Sequence, residues 1–197
     1  AALQVSNGYA NMFISGFGGI EKYAGTFAVE HTNMLISLSQ ISETLCILLI
    51  PFCLSRLGIK KVMLVAMFAW VLRFVFFAWG NPADGVWLLV LSMIVYGIAF
   101  DFFNISGSLF VDRETDISIR NSAQGLFMMM TNGFGATIGT LAAQAIVNHF
   151  VHAEEVVAAG PIAIWEGWQT SWYIFAAFAL VVAIAFWIIF PKTPVKK

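Results

Sequence analysis

The chain has 197 residues, of which 60% are apolar, 15% aromatic and only 11% charged, with a formal net charge of −1. A typical soluble domain is about 25% charged, and a small domain leaves much of its area in water. An apolar excess of this size excludes a soluble globule and intrinsic disorder, and the charge balance excludes a basic nucleic-acid binder.

The surrounding solvent is therefore lipid, which a helix crosses with about 20 apolar residues. Six segments qualify, at 1–17, 32–55, 60–79, 86–110, 122–148 and 168–190, and apolar residues run all around them. The punctuation agrees. Gly16-Phe17-Gly18-Gly19 ends the first span, Arg56-Leu57-Gly58 turns the second and Gly80-Asn81-Pro82 ends the third. Gly160-Pro161 falls in the fifth loop, and Pro191 closes the sixth helix. The chain opens at Ala1 inside an apolar stretch with no signal-peptide pattern, so it is expected to be a piece of a longer protein.

Lysines and arginines alternate from loop to loop. One side collects eight: Arg56, Lys60, Lys61, Arg113, Arg120, Lys192, Lys196 and Lys197. The other collects only Lys22. The positive-inside rule then places both ends of the chain in the cytoplasm. Arg73 stands inside a span, where a structural anchor or an internal ion pair is expected ahead of snorkelling to the outer interface. Cys46 and Cys53, seven apart on one helix face, read as small apolar fillers.

Two of the eleven acids lie within spans, Glu43 and Asp101. An ionised carboxylate at mid-bilayer costs about 2.5–3.5 kcal/mol on insertion scales. Such an acid faces a bundle interior or a wet cavity, and it is a candidate proton carrier because its neutral form escapes that cost. Polar neighbours accompany both. Gln40, Glu43 and Thr44 share one face, and Gln4, Asn7 and Asn11 form a stripe on the first span. Tyr96 and Phe100 are four apart in the fourth span, beside a second stripe of Asp101, Asn104 and Ser108. Amides, a carboxylate, a phenol and an aromatic face suit a small polar ring compound. Polar side chains also glue helices together.

Gly135 and Gly139 form a small-xxx-small seam for close helix approach. His149, His152, Glu154 and Glu155 lack a complete metal-ligand set, so no metal or other cofactor is expected. The sequence has no GxxxxGK[ST] phosphate loop and no catalytic constellation at membrane depth, which argues against an ATP-driven pump and against an enzyme.

The stretch Leu54-Ser55-Arg56-Leu57-Gly58-Ile59-Lys60-Lys61 resembles a degenerate copy of the basic loop motif of the major facilitator superfamily, without its leading acid. Ser39-Gln40-Ile41-Ser42-Glu43-Thr44-Leu45 and Val71-Leu72-Arg73-Phe74 resemble the eighth and ninth helices of bacterial permeases of the nucleoside:proton symporter family. The run from Leu89 to Gly97, continuing from Phe100 to Ser108, is very similar to the tenth. Ser122-Ala123-Gln124-Gly125 and the run from Met129 to Gly135 resemble the eleventh.

The resemblance implies an all-α, polytopic membrane protein. Residues 1–197 would form helices seven to twelve, one half of a major-facilitator fold, in a bacterial inner membrane with the N-terminal half absent. It implies nucleoside import by proton symport, with substrate contacts at Gln4, Asn7, Gln40, Glu43, Tyr96 and Phe100. Asp101 and Glu43 become the proton-coupling candidates, and the expected partners are a nucleoside, a proton, the lipid bilayer and the other half of the carrier. Two further readings stay open: a major-facilitator carrier for another polyhydroxy solute, and a non-transporting membrane scaffold subunit.

Overall fold

The computed structural model describes residues 2–190. Ala1, the Pro191 stop and the tail lysines Lys192, Lys196 and Lys197 lie outside the described residues. The described elements are all helical. Helix α1 (Ala2–Gly16) tightens into a 3-10 turn at Phe17–Gly19, and a single short turn, α2 (Phe27–Glu30), precedes α3 (Thr32–Leu57). Next come α4 (Ile59–Trp79) and α5 (Val86–Glu114). Helices α6 (Arg120–Met128) and α7 (Gly135–Phe150) are joined without a break by a π-helical turn, Met129–Phe134. The short α8 (Glu154–Ala159) leads into α9 (Pro161–Ile189).

Five helices are long and apolar enough to cross a membrane: α3, α4, α5, the rod Arg120–Phe150 and α9. The sixth expected span is α1, which covers 15 described residues. The expected boundaries hold to within a few residues, with one exception. Gly160-Pro161 is a helix start rather than loop interior, so α9 begins seven residues early. Gly160 takes a φ of 99°, open to glycine, and Pro161 fills the first helical position, where a missing N–H costs nothing.

Helix α4 is the centre, packed along its length against α5 and α9, while α3 lies on α5. Near the junction of α1, α4 and α9 the core is aromatic. Trp172, fully buried, meets Phe13, Phe74, Phe77, Trp168 and Phe175 at centroid separations of 4.7–5.9 Å. Each such pair adds about 0.5–1.5 kcal/mol beyond area burial.

Close approach of neighbouring helices occurs at Gly97, Gly107 and Gly167. A Cβ on Gly97 of α5 would lie 2.6 Å from the Ser42 carbonyl carbon and 2.7 Å from the Glu43 nitrogen. Gly107 packs under the Phe127 ring of α6, and Gly167 sits against the Phe150 carbonyl. Gly135, by contrast, has Met130 of its own chain as neighbour. Within the described residues α7 buries Ala136, Ala143 and Val147, and the rod Arg120–Phe150 is the least covered of the five spans.

Candidate functional site

Gly97 brings the α3 backbone against α5, one residue from Tyr96. Tyr96 is buried, and its ring stacks on Phe100 one helical turn away, with centroids 6.0 Å apart and planes 14° apart. The edge of Trp70 closes another side at 6.0 Å. From α1, Asn7 Nδ2 donates to the Tyr96 hydroxyl oxygen at 3.2 Å. The phenol accepts this bond and keeps its own hydrogen free to donate.

Helix α3 supplies the third wall. Asn11 Nδ2 of α1 donates to Asn33 Oδ1 of α3 at 2.7 Å. Gln4 and Gln40 each lie seven residues from this pair, back along α1 and on along α3. Seven residues are two turns, about 10 Å, so the two glutamines stand at one level, and both are exposed. Glu43 is half-buried one turn further along α3, and its backbone nitrogen packs against Gly97, the neighbour of Tyr96. The Thr44 hydroxyl is spent on the Gln40 carbonyl at 3.1 Å.

Asp101 is 5% exposed, and its Oδ2 has no hydrogen-bond partner among the described residues. The stripe expected around it divides. The Asn104 amide donates to the Phe100 carbonyl of its own helix at 2.9 Å. Ser108 instead clasps Gln124 of α6: its hydroxyl donates to Gln124 Oε1 at 3.0 Å, and Gln124 Nε2 donates to the Ser108 carbonyl at 2.7 Å. Of the expected contact residues, Tyr96 touches both Asn7 and Phe100, the Glu43 backbone lies against Gly97 next to Tyr96, and Gln4 and Gln40 stand exposed on α1 and α3.

Arg73 takes the structural-anchor role expected of it. It neither snorkels nor pairs with an acid: it is 1% exposed, and no carboxylate lies within 4.0 Å of it among the described residues. Its Nε donates to Ser6 Oγ at 2.7 Å, its Nη1 donates to the Ser92 carbonyl, and its guanidinium lies 4.6 Å from the Tyr96 centroid and 5.0 Å from that of Phe77. A buried cation can be held by neutral oxygens and ring faces when these surround it. A lone Arg in an apolar run gave no sign of which groups those would be. Cys46 and Cys53 are free thiols, Cys46 buried with Ile50, Val62, Ala66 and Phe102, as expected of fillers.

A family model described as "Nucleoside H+ symporter" matches residues 1–194. The nucleoside permease NupG of Escherichia coli (strain K12) is 50% identical over 96% of the chain, which corresponds to 43% of that permease. The xanthosine permease of the same strain is 49% identical over 94% of the chain and 42% of its own length. A crystal structure of the nucleoside transporter NupG superimposes with a TM-score of 0.86 at 48% identity, covering 97% of this chain and 45% of that one. The chain thus spans less than half the length of the relatives it matches, all of them transporters rather than enzymes. Its apolar spanning helices, its fold as half of a major-facilitator transporter and the match along nearly its whole length agree: the chain is a multi-pass membrane protein that belongs to the nucleoside H+ symporter family.

Proposed function

We propose that the chain is the C-terminal six-helix half of a twelve-helix carrier that imports nucleosides together with protons across a bacterial inner membrane, with both ends of this half in the cytoplasm. The observation that carries the reading is the meeting of α1 and α5 at Asn7, Tyr96 and Phe100, with the Glu43 backbone of α3 against Gly97 beside them. A nucleoside presents ribose hydroxyls and a flat heteroaromatic base. Gln40 and Glu43 bind the hydroxyls, Gln4 and Asn7 reach the base or the ribose, Phe100 offers an aromatic surface and Tyr96 donates its free hydrogen. The two halves rock about this site and expose it to either side in turn. A proton on Asp101 or Glu43 removes a buried charge, which lets the loaded carrier reorient.

The test is uptake of labelled uridine by proteoliposomes holding the complete carrier, with and without an imposed proton gradient. Saturable uptake stimulated by the gradient is expected. Indifference to the gradient defeats the coupling, and competition by free sugars but not by nucleosides defeats the substrate class.

A further inference from the structure

Arg73 is the least explained charge in the molecule. A methionine or leucine would fill its place in an apolar core without the cost of a buried cation. Its contacts instead fix groups of the proposed site. Through Ser6 Oγ, at 2.7 Å, it holds α1 one residue from Asn7. It grips α5 one turn before Tyr96, donating to the Ser92 carbonyl while the Ser92 hydroxyl donates back to the Arg73 carbonyl at 3.1 Å. Its guanidinium lies over the Tyr96 ring at 4.6 Å. Both partners of the 3.2 Å Asn7–Tyr96 hydrogen bond are thus set by one side chain on a third helix.

We infer that Arg73 is a positioning residue for nucleoside binding, one that fixes Asn7 and Tyr96 relative to each other and aims the free phenol hydrogen of Tyr96 at an acceptor oxygen of the substrate. This rests on the nucleoside-carrier reading above. The geometry gives Arg73 two roles at once. The fork of the guanidinium sets the spacing of α1 and α5. Its charge over the ring draws electron density from the phenol and makes it a stronger donor to a neutral hydroxyl or carbonyl oxygen. Lysine would keep the charge but lose the fork that reaches Ser6 and Ser92 while lying over the ring.

The test measures initial rates of labelled uridine uptake in proteoliposomes holding the complete carrier, unaltered or as Arg73→Met, Arg73→Lys, Tyr96→Phe and the Arg73→Met/Tyr96→Phe pair. Arg73→Met is expected to raise KM about tenfold with the maximal rate per inserted carrier nearly unchanged. Arg73→Lys falls between. The effects in the double variant fall well short of multiplying, because Arg73 acts on the phenol and on the Asn7 that bonds it. A lower maximal rate at unchanged KM, or effects that multiply in the double variant, would mean that Arg73 only holds the helices together and would overturn the inference. If Arg73→Met does not reach the membrane, Ser6→Ala decides: it removes the guanidinium's hold on α1, a raised KM is expected, and an unchanged KM overturns the inference. Absence of saturable uridine uptake by the unaltered carrier defeats the nucleoside reading itself, whereas normal uptake with an unchanged Arg73→Met KM defeats the inference alone.

Discussion

Replacing Asp101 by Asn separates binding from coupling, because asparagine keeps the shape of the protonated acid and cannot ionise. Asp101 is 5% exposed, and one of its oxygens has no partner among the described residues. An ionised carboxylate so placed costs about 2.5–3.5 kcal/mol. At about 1.4 kcal/mol per decade, that biases a buried, ionised state by roughly 60- to 300-fold. The protonated carrier escapes this bias, and so does Asp101→Asn at every pH. Two proteoliposome assays distinguish the consequences. Exchange of internal unlabelled for external labelled uridine requires no net proton movement, and in the Asn variant it should continue at a rate near that of the unaltered protein. Uphill accumulation under an imposed proton gradient should collapse to simple equilibration. Continued gradient-driven accumulation by Asp101→Asn would refute this reasoning and leave Glu43 as the coupling acid. Loss of exchange together with accumulation would instead give Asp101 a direct part in binding or reorientation.

Gly97→Ala places a methyl 2.6 Å from the Ser42 backbone, and overpacking of this kind costs about 1–3 kcal/mol. The melting temperature of the purified carrier should fall, whereas Gly8→Ala, with nothing within 4 Å, should leave it level or raise it. Orientation can be read by cysteine labelling in a Cys46→Ala/Cys53→Ala background. A membrane-impermeant maleimide applied to intact cells should reach Asp84→Cys, between α4 and α5, and not Ser118→Cys, between α5 and α6. The reverse pattern would invert the topology.

The features legible in the sequence were those set by lipid: where the spans lie, which loops carry the cations, and which polar residues recur at helical spacing. The Tyr96/Phe100 pair and the α1 stripe could be read because side chains three or four apart meet on one helix. What could not be read depended on a second helix or on a single residue of backbone register. The π turn at Met129–Phe134 changes the hydrogen-bond register without altering the hydropathy. Gly135 meets Met130 of its own rod, while Gly97, inconspicuous in its run, marks a close crossing of α3 and α5. Helix α9 was cut short because Gly160-Pro161 signals both a turn and a helix start, and only the φ of Gly160 separates the two. Arg73 was legible as an anchor but its partners were not, because a hydroxyl, a carbonyl and two rings do not announce themselves as counter-ions.

The convergence of α1, α3 and α5 on one nucleoside pocket is tested most directly by equilibrium binding of labelled uridine to the purified complete carrier. A hydrogen bond to a charged group contributes about 1.5–3 kcal/mol, so Glu43→Gln should weaken uridine about tenfold or more, with Gln40→Ala and Asn7→Ala weakening it as well. Unchanged affinity in all three would contradict a shared site.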